Sequence, residues 1–370
     1  MKKIEKLKYA MVGGGIDSFI GPIHRMALRM DDLAELTAGC FSRNPKKNRE
    51  CIERFRLAPD RVYSDWRELI AAEHDRVDFL VIATTNETHY EIAKVALSAG
   101  MDVFCEKPLS LTAKEAQDLQ TIASRRHRIL GVPFTYTGFP MVKLARDIVR
   151  RGELGNIDRV TIEYVQGSFR KPDRRTSWKT NPKIAGPSCV VADIGVHAFT
   201  LVELVTGLTA TSVLADLSSF SNSRGLDDDA TILMRLKGGA KATIITSKVA
   251  TGEENGLRLR VYGDKASLFW DQESPNYLRV KYPMAPERIY KRNAPYICEL
   301  SAGSLAASRF PAGHHEGFGE ALANIYDEFT SAVRTRKRRD FTSGVEGVRS
   351  MRFVDAVLKS DRTGNRWVKV

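Results

Sequence analysis

A lysine set before a proline, and a histidine four residues after an aspartate, are the parts of this sequence best suited to moving a proton. The segment CEKPLS follows the apolar run MDVF, which puts Glu106 and Lys107 beyond the carboxyl end of a strand, where open α/β sheets bind ligands. Pro108 biases Lys107 toward extended backbone, and a neighbouring positive charge would lower its pKa enough for it to donate to, or accept from, a reacting hydroxyl. Farther on, VVADIGVHAFTLVE reads as a helix on which Asp193 and His197 share one face. There the carboxylate can orient the imidazole or hold the same substrate, and histidine is the natural proton carrier near neutral pH. The spacing also suits a metal, but no third ligand is evident and none is expected. Both constellations have plainer readings: Lys107 as a surface lysine, and an Asp–His hydrogen bond that only stabilises its helix.

These residues need a scaffold, and the first half of the chain supplies an alternating one. LKYAMV, ELTAGCF, DFLVIAT and MDVFCEKP read as strands; IHRMALRM, KNRECIERF, HYEIAKVALSAG and TAKEAQDLQTIASRR read as helices. Such alternation predicts a parallel sheet wound by right-handed crossovers. The second half opens with the helix MVKLARDIVRRG and the strand RVTIEYVQG. The polar stretch RKPDRRTSWKTNP and the helix carrying Asp193 follow. Several closely spaced strand-like segments then favour antiparallel pairing, and two late helical patterns end the chain. The expected architecture is α/β: a doubly wound parallel sheet over residues 1–136, then an α+β domain over 137–370.

The glycines of VGGGIDSFIG bear on what the first domain binds. Gly13 and Gly15 occupy the first two places of a G-x-G-x-x-G turn; Ser18 takes the third, and the next glycine is Gly21. Residues 16–20 form a longer connection, with the helix expected near Pro22. Alone, this pattern also fits a plain strand-to-helix turn. At the head of an alternating series it points to a dinucleotide, with Ser18, Phe19 and Ile20 as loop contacts. After the second strand comes CFSRN, with no acidic residue before Glu50. Ser42 can hydrogen-bond a 2′-phosphate and Arg43 can neutralise it, which leans the choice toward NADP. In the alternative, Arg43 is a solvated loop residue and NAD binds through backbone and Asn44.

Composition narrows the rest. The chain has 370 residues, 43% of them hydrophobic and 28% charged, a soluble globular balance. No apolar run approaches the ~20 residues of a membrane span, and MKKIEKLKYAMVGGG lacks the apolar core of a signal peptide. Five scattered cysteines without C-x-x-C spacing suit a reducing cytoplasm rather than a disulfide or zinc framework. The net charge of +12 is spread out. Its one dense run, RTRKRRD, reads as a solvated helix end rather than a nucleic-acid patch.

Taken together, the strand–GGG turn, TTNETHYEIAKVALSAGMDVFCEKPLS and the later DIGVH resemble the Gfo/Idh/MocA oxidoreductase family (glucose–fructose oxidoreductase, inositol dehydrogenase and rhizopine-catabolism proteins) over essentially the whole chain. The extended loop GGGIDSFIGPIHRMA, with YTGFPM, GELG and GEENGLRLRVYG, is most similar to the subgroup of levoglucosan dehydrogenase and related sugar 3-dehydrogenases, where a lengthened glycine loop is normal. The resemblance implies an N-terminal Rossmann doubly wound parallel sheet over residues 1–136, joined to a substrate-binding and oligomerisation α+β domain over 137–370 with an open, largely antiparallel sheet. It further implies that Lys107, Asp193 and His197 contact the reacting hydroxyl, that Thr84, Asn86 and His89 line the cofactor, and that Glu106 lies beside the nicotinamide. Two departures stand out: Thr85 occupies a position often held by proline, and Phe134-Thr135 replace the usual His-Asn before Tyr136, which bears on substrate identity. Tyr136, Arg170 and Trp178 are candidates for shaping a sugar pocket, or packing residues. Glu254 and Asn255 read as a hairpin turn. The implied activity is NAD(P)-dependent oxidation of a sugar, anhydrosugar, glycoside or cyclitol by a homodimer or homotetramer. The alternatives are an NADPH-dependent ketosugar reductase and a catalytically silent dinucleotide sensor of the same fold.

Overall fold

The computed structural model describes residues 5–170, 178–221 and 225–370; the middle of the polar stretch RKPDRRTSWKTNP lies outside them. The chain divides into two units, Met1–Pro133 with Leu322–Val348, and Phe134–Ala321 with Arg349–Val370. Both sheets follow from the side-chain patterns that build them.

In the first unit, β1 (Leu7–Gly13), β2 (Ala34–Cys40), β3 (Phe79–Ala83), β4 (Asp102–Cys105) and β5 (Leu130–Gly131) pair in parallel in the order β2-β1-β3-β4-β5. Every residue of β3 is buried, as expected of a strand covered on both faces. The connections carry α1 (Ile20–Met30), α2 (Pro45–Phe55), α3 (Trp66–Glu73), α4 (His89–Ser98) and α5 (Ala113–Arg125). Their starts are written locally: Asn44 caps α2 ahead of Pro45, and Thr112 with Glu115 forms a reciprocal capping box on α5.

The second unit begins with α6 (Pro140–Arg150) and β6 (Ile157–Val165) and reaches α7 (Val196–Thr206) through a π-helical turn, Val191–Gly195. β7 (Ala210–Ser218), β8 (Asp229–Leu236), β9 (Lys241–Ser247), β10 (Gly256–Gly263), β11 (Ser267–Asp271), β12 (Tyr277–Tyr282), β13 (Ala285–Lys291) and β14 (Val368–Lys369) complete a nine-stranded sheet. Its order is β13-β12-β11-β10-β6-β9-β8-β7-β14, and only the β6–β9 pair is parallel among the described strands. β8 alternates buried and accessible positions, the signature of one packed face.

Two long helices, α8 (Phe318–Thr335) and α9 (Gly344–Arg362), follow. From α8, Leu322, Tyr326, Phe329 and Val333 enter the core of the first unit with Tyr9, Phe79 and Phe104. The sequence division at residue 136 groups this segment with the second domain; no local pattern encodes its return. The basic run at the end of α8 is exposed from Arg334 to Asp340, the solvated helix end expected, and two of its cations also make contacts. Arg334 donates to the carbonyl of Leu33 (2.9 Å) and Arg336 to Asp102 (2.6 Å), so unmet acceptors of the first unit recruit two of its cations.

Candidate active site

The first unit gathers one set of residues at the carboxyl edge of its sheet. Gly13 closes β1 with φ +77°, and a Cβ there would lie 2.4 Å from the carbonyl oxygen of Ala83. A Cβ on Gly21 would lie 2.2 Å from the oxygen of Gly14. The close-packing role usual for the third glycine thus falls on Gly21, inside α1, which starts at Ile20 rather than near Pro22. Between them Ser18 Oγ accepts from the Gly21 amide (3.1 Å), and Phe19 projects into solvent, 82% exposed. This cradle, in which side chains have no room, fits a dinucleotide.

Beyond β2 the side chains are spent locally. Ser42 Oγ accepts from the Asn44 amide (3.1 Å), and Asn44 Oδ1 accepts from the Lys46 amide (2.9 Å) as the helix cap. Arg43 is exposed. Beyond β3, Thr84 Oγ1 accepts from Thr88 (2.7 Å), and Asn86 is buried in a 3₁₀ turn. His89 is fully buried, with Nδ1 2.8 Å from the Pro108 carbonyl and Nε2 3.3 Å from that of Thr84. Burial lowers its pKa, so the ring is neutral and donates through one nitrogen.

His89 thus ties the end of β3 to the loop that follows Lys107. On the other side of that loop Glu106 accepts from His24 Nε2 (3.0 Å) and from the Lys107 amide (3.1 Å). His24 Nδ1 lies 2.7 Å from the hydroxyl of Tyr326, on α8. Burial pushes the Glu106 carboxyl up, but the His24 hydrogen bond, with Lys107 and His89 nearby, holds it below its ordinary value. Glu106, His24 and the Tyr326 hydroxyl thus form one buried hydrogen-bonded chain. The sequence gives no sign of this chain, in which His24 meets residues 82 and 302 positions away.

In the second unit the helix carrying Asp193 and His197 is not uniform. Asp193 lies in the π-turn and His197 in the first turn of α7, so the simple four-residue helical face expected does not describe the segment. A carboxylate from a distant loop caps this element. Asp227 accepts from Ser188 Oγ (2.8 Å) and from the amides of Cys189, Val190 and Val191 (2.9, 2.9 and 3.1 Å). Two ammonium groups meet Asp193. Lys179 Nζ lies 3.0 and 2.8 Å from its two oxygens, and Lys248 Nζ lies 2.5 Å from Oδ2.

His197 is buried among rings, with Tyr136 at 4.9 Å between centroids, Phe134 at 5.8 Å and Tyr164 at 6.1 Å. The Tyr136 and Tyr164 hydroxyls are 2.5 Å apart, and burial, then Tyr136, raises the Tyr164 pKa well above its ordinary value. Asn255 joins them: Tyr164 donates to its Oδ1 (2.8 Å), and its Nδ2 donates to Tyr136 (3.2 Å). Gln166 Nε2 donates to the same Oδ1 (2.8 Å). The supposed hairpin residue Asn255 is therefore the hub of a polar cluster around the His197 pocket. Arg170 is exposed and pinned to the Val249 carbonyl (3.1 Å), and Trp178 is 37% exposed with Lys179 5.8 Å from its ring centre. The structure thus brings Tyr136 to His197, while Trp178 touches Lys179, a partner of Asp193.

Comparison with known proteins gives the family and the fold. Residues 7–134 match the family model described as "Oxidoreductase family, NAD-binding Rossmann fold", and residues 146–370 match "Oxidoreductase family, C-terminal alpha/beta domain". The uncharacterized oxidoreductase YfiI of Bacillus subtilis is 33% identical over 98% of this chain and 96% of its own. Levoglucosan dehydrogenase of Pseudarthrobacter phenanthrenivorans is 26% identical over 75% of this chain and 77% of its own. An inositol dehydrogenase homologue of Azotobacter vinelandii, 34% identical, has been solved with NAD+ (TM-score 0.95, covering 100% of this chain and 98% of that one). Its structure with NADH and myo-inositol gives a TM-score of 0.93 and covers 99% and 98%.

Proposed function

The chain belongs to the Gfo/Idh/MocA oxidoreductase family, and from that premise we propose that it oxidises a secondary hydroxyl of a sugar, anhydrosugar, glycoside or cyclitol with NAD or NADP. The observation that carries the reading is Lys107 standing beyond β4, in the same sheet whose first strand ends in the glycine cradle. The levoglucosan dehydrogenase and the myo-inositol complex among its relatives support the substrate class. When bound, the nicotinamide supplies the acceptor for the hydride leaving the carbinol carbon.

In this reading Gly13, Gly15, Ser18, Phe19 and Ile20 hold the pyrophosphate, and Ser42, Arg43 and Asn44 hold the adenosine ribose. Thr84, Asn86, His89 and Glu106 line the nicotinamide side. His197 takes the hydroxyl proton, Asp193 orients the imidazole or the substrate, and Lys107 donates a hydrogen bond to the developing alkoxide. Tyr136, Arg170 and Trp178 shape the sugar pocket. The exposed Arg43 and the lack of an acidic side chain between Phe41 and Asn44 favour NADP. The relative solved with NAD+ weighs toward NAD. Titration of wild type and Arg43→Ala with NADH and NADPH decides: under the NADP reading, the variant loses roughly tenfold in NADPH affinity and little in NADH affinity.

A panel of anhydrosugars, inositols and glucosides with both coenzymes, followed by nicotinamide absorbance, tests the activity. Tight coenzyme binding without turnover of any polyol or ketosugar would favour the silent sensor, and ketosugar reduction alone would favour the reductase. Among the described residues no helix is long and apolar enough to cross a membrane. We place the protein in the cytoplasm as a homodimer or homotetramer, which light scattering on the purified chain would check.

A further inference from the structure

Lys248 is a lysine in a place where lysines are costly. It follows β9, and its backbone is clamped on both sides, its amide donating to Asp228 and its carbonyl accepting from Phe169 (2.8 Å each). The side chain is 2% exposed. Its ammonium lies 4.9 Å from the Phe169 ring centre and 3.8 Å from Cys189 Sγ, beside a small apolar cluster of Phe169, Ala185, Cys189, Leu226 and Val249. Burial works against the charge of Lys248, yet nearby Asp193, Cys189 and Asp227 hold its pKa above the ordinary lysine value.

The carboxylate it leans on can be identified. Asp227 is already satisfied by four donors of the Ser188–Val191 turn. The direct partner is Asp193 Oδ2, at 2.5 Å. Lys179 meets the same carboxylate but is 39% exposed, so it can exchange Asp193 for water at little cost. Lys248 cannot, because water does not reach it. The two cations therefore differ: one is a fixed partner, the other a movable one.

We propose that Lys248 is a positioning residue for the reaction: it locks Asp193 as an ionised, orienting carboxylate, keeping Oδ2 occupied and leaving Oδ1, which the movable Lys179 meets, to the substrate hydroxyl or the imidazole. The proposal rests on the catalytic reading of Asp193. Asp193 on this account is not the base, and its orientation is set from β9 rather than by the helix that carries it.

The test uses the full-length protein with a polyol it turns over. Lys248→Met is expected to lose roughly 100-fold in kcat while KM and coenzyme affinity stay within about threefold, and Lys248→Gln, which keeps an N–H donor, to recover part of the loss. In an Asp193→Asn background Lys248→Met should cost no further activity, because its effect passes through that carboxylate. The same double variant should also melt higher than Asp193→Asn alone, which leaves an ammonium buried without a counter-charge. A near-normal kcat in Lys248→Met beside an impaired Asp193→Asn would overturn the proposal alone, as would equal losses in the two backgrounds. Normal turnover in Asp193→Asn would instead remove the catalytic reading of Asp193, and the proposal with it.

Discussion

Glu106 in the first unit and Asp193 in the second are both shielded carboxylates, but their surroundings differ. Around Glu106 the donors are an imidazole backed by a tyrosine hydroxyl and a main-chain amide. Around Asp193 they are two ammonium groups, one of them buried. Glu106 is therefore held by one hydrogen-bonded ring and one amide, with Lys107 nearby. Asp193 with its two ammonium groups forms a cluster of net positive charge, in which the carboxylate is fixed by ion pairing on both oxygens.

The sharpest test of that contrast is kinetic. Alanine at Lys107 or His197 should lower kcat by ~10²- to 10⁴-fold with dinucleotide affinity largely intact, measured by steady-state rates and fluorescence titration. Normal turnover in both would break the assignment of chemistry to the two neighbourhoods. Next comes stability. Asp193→Ala strands the buried Lys248 ammonium and should cost about 3–5 kcal/mol in chemical denaturation. Glu106→Ala leaves the His24 ring and the Lys107 amide unmet and should cost about 1–3 kcal/mol. Equal losses would mean that the two sites bury charge alike.

Smaller again is the effect of acid on the first unit. The folded pKa of His89 is depressed, so the unfolded chain binds the proton first. Stability should therefore fall as pH drops below about 6.5, with a slope from this residue of at most about 1.4 kcal/mol per unit. Urea denaturation at pH 7.5 and 5.5 should show that part of the loss disappearing in His89→Phe. Last, Tyr136→Phe removes one hydroxyl from the Tyr164–Asn255 cluster and should cost about 0.5–1.5 kcal/mol, with KM shifted more than kcat.

The two units were not equally readable. Continuous apolar runs such as FLVIA, the glycine turn and the Lys107 loop are local signals, and they fix the parallel sheet and its carboxyl edge. Asp193 and His197 were visible as residue types, but the π-turn that carries Asp193 is capped by Asp227, more than thirty positions downstream. Lys248 looks like any polar residue ending a strand, and Asn255 like any turn residue. Their roles come from pairings across the second sheet's loops, which no period of two or 3.6 records. His24 gave no signal either, since its partners Glu106 and Tyr326 lie far along the chain.

The return of α8 to the first unit has a consequence for how the protein is made. On the ribosome, the dinucleotide half emerges without Leu322, Tyr326, Phe329 and Val333, so the apolar faces of Phe79 and Phe104 stay uncovered until nearly the whole chain has been translated. A fragment ending at Tyr136 is therefore expected to be less soluble than the full chain, which expression of the two side by side would check.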